Sequence, residues 1–262
     1  MNRIDNYKEL EGKIVNWIYD YASKYNIKSL VVGVSGGIDS SVVSTLCAKT
    51  GLPTYVIGMP INQRDEQETL SDAHGEWLQN KYTNVRFIKV DLSSINDLFL
   101  ANINLQVGEQ FATNKLAQAN TRSRLRMVTL YQVATTVGGI VVGTGNKVED
   151  YGVGFYTKYG DGGIDIAPIA DLYKTEVWEL GKYIGVDERI IDAAPTDGLW
   201  DDGRTDEDQI GTSYAMLEWV MEEGLQTPPE QLNEEELNAI NVYTKFNTQN
   251  KHKMVSIPTF KL

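Results

Sequence analysis

The sequence predicts an α/β protein in which a parallel sheet carries helices on both faces. Three observations lead there. Short apolar runs recur at 29–34, 54–59, 85–90 and 139–144. Each reads as a buried strand. The stretches between them are longer and helical in period, so strands and helices alternate, and alternation implies parallel pairing with helical crossovers. The first run also leads into a Gly/Ser-rich turn, Gly33-Val34-Ser35-Gly36-Gly37-Ile38-Asp39-Ser40, followed at once by an apolar helix. Ligands on such sheets bind at the carboxyl ends of the strands.

The elements follow in order. The first 25 residues form an amphipathic helix, with Ile4, Tyr7, Leu10, Ile14, Trp17, Ile18 and Tyr21 at helical spacing. Strand 29–34 and the helix from Ser41 come next. Strand 54–59 is ended by Pro60, and a polar helix spans 64–82. Strand 85–90 precedes a helix at 93–103 and a long helix at 109–136, which leads to strand 139–144. Beyond 150 the pattern changes. Residues 151–163 are rich in Gly and Tyr without a period, and 195–208 reads as a mobile polar loop beside a site. Helices are expected at 174–184, 206–223 and 234–250. Neither repeat nor linker is evident, so 1–262 is expected to be one domain.

Composition excludes several classes. At 262 residues the chain can bury one substantial core, and its 42% hydrophobic and 23% charged content is that of a globular protein. No apolar stretch reaches the ~18 residues of a membrane span. The N-terminus lacks a signal-peptide pattern, so a cytoplasmic location is expected. One cysteine, Cys47, sits on an apolar helix face and reads as core. With two histidines it offers no zinc site. The net charge of −12 disfavours nucleic acid as a partner.

The turn at 33–40 has the chemistry of a phosphate cradle. N–H groups of a first helical turn lack intrahelical acceptors, and the helix dipole favours an anion there. Gly36 and Gly37 let the backbone approach it. The turn has no Walker lysine and is not the dinucleotide fingerprint. Asp39 and Glu149 come from two loops at one sheet edge and suit Mg²⁺, which prefers oxygen ligands. The plainer alternatives are a helix cap for Asp39 and a solvated loop charge for Glu149. Lys174 opens a helix, an unfavourable place for a cation, which points to a phosphate ligand. Among Arg122, Arg124 and Arg126, positions two apart do not share a face, so they cannot all serve one phosphate.

The Ser35-Gly36-Gly37-Ile38-Asp39-Ser40 pattern resembles the PP-loop of ATP pyrophosphatases. Further motifs narrow the resemblance. They are Arg122-Ser123-Arg124, Gly143-Thr144-Gly145-Asn146-Lys147-Val148-Glu149, Thr157-Lys158-Tyr159-Gly160-Asp161-Gly162-Gly163, Asp171-Leu172-Tyr173-Lys174, Ala194-Pro195-Thr196 and Lys251-His252-Lys253. In this order they are similar to the ammonia-dependent NAD synthetases, over about residues 5–260. Three departures stand out. Gly145-Asn146-Lys147-Val148 replaces the Asp-His-Ala-Ala of many members. One extra residue separates Glu149 from Lys158. Ser123 stands where many have Ala.

The resemblance implies a Rossmann-like fold of the adenine nucleotide alpha hydrolase type. It implies adenylation of the nicotinate carboxylate of deamido-NAD by ATP, with release of pyrophosphate. Ammonia then displaces AMP and gives NAD. It assigns ATP contacts to Gly33, Val34, Ser35, Gly36, Gly37, Ile38, Asp39, Ser40, Thr144, Lys174 and Thr196. It assigns Mg²⁺ to Asp39 and Glu149, catalysis to Asp39, Glu149 and Lys174, and deamido-NAD contacts to Arg124, Lys158, Asp165, His252 and Lys253. A homodimer is implied, with the helix around 124–136 available either for that contact or for the monomer core. Because no glutaminase domain precedes the first helix, free ammonia is the expected nitrogen source. Two other readings remain open: a PP-loop tRNA-modifying enzyme, which should show a basic face and catalytic cysteines, and a non-catalytic ATP sensor, which leaves Glu149, Lys158, Asp165 and Lys174 unexplained.

Overall fold

A computed structural model describes residues 3–63, 65–193, 195 and 205–261. Four parallel strands lie in the order β3-β2-β1-β4: β1 (Ser29–Val34), β2 (Thr54–Gly58), β3 (Val85–Lys89) and β4 (Gly139–Val141). The chain moves outward from β1 to β3, then returns to β1's other side. Strand order therefore reverses between β1 and β4, and a crevice opens beyond their carboxyl ends. The turn at 33–40 and Thr144 both lie there. The fourth strand is shorter than expected, because Val142 makes only a bridge to Ile166.

The helices are α1 (Tyr7–Lys24), α2 (Ile38–Lys49), α3 (Asp65–Lys81), α4 (Ser93–Gln106), α5 (Glu109–Ala112), α6 (Lys115–Thr136), α7 (Lys174–Ile184), α8 (Glu188–Ile191), α9 (Asp206–Ile210), α10 (Tyr214–Glu222) and α11 (Glu234–Met254). Two helices expected to be continuous are broken, each for a local reason. Asn114 caps α6 by accepting from the Ala117 N–H at 2.9 Å, which separates α5 from α6. Gly211 ends α9 at φ 94°, and Ser213 caps α10.

Strand alternation divides the core. Leu30 and Val32 face α1, α2 and α7 through Ile18, Val42, Leu46, Val177 and Leu180. Val31, Ile57 and Val141 face α6 through Leu130, Tyr131, Val133 and Ala134. These α6 residues thus cover the sheet of their own chain. Cys47 is wholly buried in the first layer. A further cluster joins Val148, Val153, Tyr173, Tyr214 and Leu217 to Tyr243 and Phe246 of α11. It presses the C-terminal helices against residues 147–153, which form a π-helix, Lys147–Val153. No helix among the described residues is long and apolar enough to cross a membrane.

Candidate active site

The turn after β1 is held by its own hydroxyls. Ser40 Oγ accepts from the Ser35 N–H at 3.2 Å and donates to the Gly37 carbonyl at 3.0 Å. The Gly37 N–H donates to Ser35 Oγ at 3.3 Å, and Ser41 Oγ donates to the Gly37 carbonyl at 2.9 Å. Gly36 sits at φ 85°, a conformation natural to glycine. Ile38 points its side chain into the core against Gly181, so only its backbone is available to a ligand. Gly33 packs closely against Met59 and Leu130. Val34 is buried, and its carbonyl accepts from Ser71 Oγ at 3.0 Å.

Asp39 is not a cap; Gly37 is the N-cap of α2. The Asp39 carboxylate turns instead to Lys174, whose Nζ donates to Oδ2 at 2.5 Å. The same ammonium donates to Glu149 Oε1 at 2.9 Å. Asn146 Nδ2 donates to Asp39 Oδ1 at 3.2 Å. Asn146 Oδ1 also caps the π-helix, accepting from the N–H groups of Val148 and Glu149. The Tyr214 hydroxyl donates to Glu149 Oε1 at 2.6 Å. One wholly buried asparagine and one buried tyrosine therefore orient the two carboxylates. Neither residue was among those expected.

Lys174, which sequence reasoning reads as a phosphate ligand, is only 3% exposed and is held by side chains of its own chain. It is the counter-ion of Asp39 and Glu149. Burial alone lowers a lysine pKa, yet the two carboxylates overcome this and raise it. Burial pushes the Glu149 carboxyl upward, but Lys174, Tyr214 and Asn146 hold it low. Asp39 stays raised, by burial and by the nearby Glu149.

These groups open on a cavity of about 110 Å³ lined by Ser35, Gly37, Asp39, Ser40, Thr144, Gly145, Glu149, Asp150, Phe155 and Asp161. Asp150 and Asp161 are further carboxylates that sequence reasoning did not single out. Asp161 Oδ1 accepts from Ser123 Oγ at 2.6 Å and from the Thr157 N–H at 3.0 Å. Its own N–H donates back to Ser123 Oγ at 2.8 Å. Ser123, one of the departures from the family pattern, thus clamps this turn.

The expected dinucleotide contacts partly converge. Lys158 Nζ donates to the His252 carbonyl at 3.1 Å, and Lys253 Nζ to the Tyr156 carbonyl at 2.7 Å. The exposed Arg124 reaches the Lys158 carbonyl at 3.3 Å. Residues from α6, the 155–163 segment and the end of α11 therefore meet at one place. Arg126 is buried, donates to the Met59 carbonyl at 3.0 Å, and burial lowers its pKa to about 10. Asp165 does not line the cavity. Its carboxylate accepts from the Val141 N–H at 2.7 Å and the Tyr131 hydroxyl at 3.1 Å, pinning β4. Thr196, Ala194 and most of the 195–208 segment lie outside the described residues.

A nucleotide cradle at a strand switch point, facing paired carboxylates, defines an α/β phosphate-handling enzyme. The family model for NAD synthase matches residues 10–256. The NH(3)-dependent NAD(+) synthetase of Carboxydothermus hydrogenoformans is 40% identical over 80% of this chain and 83% of its own. That of Methanosarcina mazei is 35% identical over 96% of this chain and 97% of its own. Among solved structures, the NMN synthetase of Francisella tularensis superposes with a TM-score of 0.85 at 33% identity, covering 99% of this chain and all of that one. The chain belongs to the NAD synthase family of ATP-using ligases.

Proposed function

We propose that this enzyme amidates the nicotinate carboxylate of deamido-NAD with ammonia through an acyl adenylate, giving NAD, AMP and pyrophosphate. The observation that carries the reading is the single cavity shared by the Ser35–Ser40 turn, Asp39, Thr144 and Glu149. A carboxylate is a poor electrophile, because its charge repels a nucleophile and oxide is a poor leaving group. Adenylation removes both obstacles. The carboxylate attacks the α-phosphate, and the leaving pyrophosphate gathers charge where the turn offers N–H groups and the α2 dipole. Asp39 and Glu149 present hard oxygen donors that fit Mg²⁺, and the bound ion supplies neutralisation of phosphate charge. Lys174 keeps these carboxylates apart from mutual repulsion and poised on the cavity.

Lys158, Arg124, His252 and Lys253 make a basic corner that suits the phosphates and riboses of the acceptor. Removal of Lys158 is expected to weaken acceptor binding more than ATP binding. An equal loss for both would move Lys158 to another role. The assembly we propose is a homodimer in the cytoplasm. Its support is an exposed apolar surface on α4–α6 containing Leu98, Phe99, Leu105, Phe111, Leu116 and Val128. A monomer mass by sedimentation would end that part of the reading.

A second reading is favoured by the 0.85 TM-score to an NMN synthetase. There the acceptor is nicotinate mononucleotide, which carries the same carboxylate on half of the dinucleotide. One experiment tests both: pyrophosphate release from ATP and Mg²⁺ with each acceptor, then with ammonium added. Release that requires deamido-NAD, with amide formed only when ammonium is present, supports the first reading. Preference for the mononucleotide selects the second, and release with neither acceptor refutes both.

A further inference from the structure

One motif and one departure from the family pattern play no part in the site described above. Asp171-Leu172-Tyr173 runs straight into Lys174, and Lys147 opens the π-helix that carries Glu149. Arg3, ahead of α1, belongs to no motif. The structure brings the three together.

The Arg3 guanidinium lies against the Tyr173 ring, with its Cζ 4.2 Å from the ring centroid. Nε donates to Glu176 Oε1 at 2.9 Å and Nη2 to Oε2 at 2.7 Å, the two-pronged geometry of arginine on a carboxylate. Nη2 also donates to the Asp171 carbonyl at 2.8 Å. Lys147 Nζ lies 4.8 Å from the centroid of the same ring and 2.9 Å from Asp171 Oδ1. The Lys147 N–H donates to the Leu172 carbonyl at 2.8 Å. Two cations from distant parts of the chain thus hold residues 171–173 by carbonyls, ring and carboxylate.

That segment sets Lys174. Tyr173 is the N-cap of α7, and Lys174 is the first residue of the helix. Free N–H groups and the helix dipole make this end hostile to a buried ammonium. Two carboxylates offset that. Glu176 Oε2 accepts from the Tyr173 N–H at 2.8 Å, and Glu218 Oε1 accepts from the Thr175 N–H at 3.0 Å. Glu176 is itself buried, and Arg3 is its counter-ion. Lys147 stands two residues before Glu149, so its grip on Asp171 and Leu172 also fixes how the π-helix meets α7. The placement of Lys174 Nζ between Asp39 Oδ2 and Glu149 Oε1 therefore depends on a clamp whose outer jaw is the N-terminal segment.

We propose that Arg3 is a positioning residue for adenylation: with Lys147 it clamps 171–173 and thereby registers Lys174 against Asp39 and Glu149. This rests on the ATP-using reading above, whichever nucleotide is the acceptor. Arg3 does not line the cavity and acts through Tyr173 and Glu176. Its side chain is 31% exposed, so water screens its ion pairs and its weight in stability is small. Its weight in rate is larger, because displacing a site group by about 1 Å costs on the order of 100-fold. Rate and stability should therefore separate.

The test compares wild type, Arg3→Ala, Lys147→Ala, the double variant and Lys49→Ala. Lys49 makes a partly buried ion pair of the same kind, with Glu11 at 2.6 Å, at the far end of α2. The kcat and the KM values for ATP and acceptor are read from pyrophosphate release, where circular dichroism shows each variant folded. Urea midpoints are measured beside them. Arg3→Ala should lower kcat by about 10-fold, with both KM values within about twofold of wild type. Its urea midpoint should fall no further than that of Lys49→Ala, whose kcat should stay within about twofold of wild type. Because Arg3 and Lys147 hold one segment, their losses should not multiply, and the double variant should lie within about threefold of the slower single one. If Arg3→Ala does not fold, Arg3→Gln carries the same comparison. An unchanged kcat in the Arg3 variant overturns the proposal. So does an equal loss of kcat in Lys49→Ala, a rise in KM with kcat intact, or losses that multiply in the double variant. Wild type that releases no pyrophosphate with either acceptor refutes the ATP-using reading and takes this proposal with it; normal release in wild type and in Arg3→Ala alike refutes the proposal alone.

Discussion

The floor and the wall of the cavity are built on opposite principles. The floor, residues 33–40, is a backbone turn tied by its own hydroxyls, which accept the N–H groups of Ser35 and Gly37 and bond the Gly37 carbonyl. The wall, formed by the π-helix, the start of α7 and α10, acts through charged side chains in a nearly dry network around Lys174. A backbone cradle is fixed by local geometry and tolerates change among its neighbours. A buried ionic network is all-or-none, because each member removed strands another.

The largest effect should therefore come from the wall. Asp39→Ala or Glu149→Ala leaves Lys174 buried with half its counter-charge. Sequence reasoning alone expects an intact fold in these variants. The burial of Lys174 revises that to a loss of about 3–5 kcal/mol by urea unfolding. Pyrophosphate release should fall by at least about 100-fold. Glu149→Gln, which keeps an acceptor for Tyr214, should be less destabilising than Glu149→Ala. Unfolding curves superposing on wild type would mean that Lys174 is not strained by the loss of a partner.

Next in size is a titration behind the floor. His74 is buried against α2, where Nε2 lies 2.9 Å from Ser44 Oγ, and burial lowers its pKa to about 4. A histidine with a depressed folded pKa binds its proton more readily when unfolded. Its stabilising contribution is complete above the unfolded value of 6.5 and is lost as pH falls from there through about 4. The full loss is about 3 kcal/mol. Urea unfolding at several pH values in this window, for wild type and His74→Asn, should show one fewer proton in the variant's pH slope. Identical slopes would place the acid sensitivity elsewhere.

A smaller effect is expected within the floor. Gly36→Ala places a Cβ at φ 85°, at a cost of about 1–2 kcal/mol. The ATP KM should rise while that of the nucleotide acceptor changes little. Equal rises would show that the turn also shapes the acceptor site.

The same contrast explains what the sequence discloses. β1 and α7 are readable to the residue, because an apolar run between polar flanks and an amphipathic stretch after Tyr173 are local signals. The floor is readable for the same reason. The wall is readable only in part: Asp39, Glu149 and Lys174 stand out, but their pairing does not, since Asp39 meets Lys174 across 135 positions and Glu149 meets Tyr214 across 65. Nothing at Asn146 or Tyr214 announces these contacts, and a π turn has no simple residue code. The resemblance points to Asp165 as an acceptor contact, and nothing local announces the bonds its carboxylate also accepts from Val141 and Tyr131. The breaks before α6 and α10 were signalled by Asn114 and Ser213, polar caps hidden inside stretches of helical period.

The smallest effect tests whether the 155–163 segment belongs with the floor or the wall. Ser123 makes two hydrogen bonds to Asp161, one to the carboxylate and one from the backbone N–H. It is half-buried, so water can replace much of what Ser123→Ala removes, and the expected cost is about 1 kcal/mol. In a chain of this size that lowers Tm by roughly 2–4 °C. If the segment behaves like the floor, tied by local bonds, the acceptor KM should change by no more than about threefold. If it behaves like the wall, freeing Asp161 should disturb the neighbouring carboxylates, and pyrophosphate release should fall as well. The Thr157 N–H still holds Asp161 Oδ1 after the substitution, a local bond four residues away. That remaining bond favours the first outcome, and the KM for ATP, unchanged or raised, decides between them.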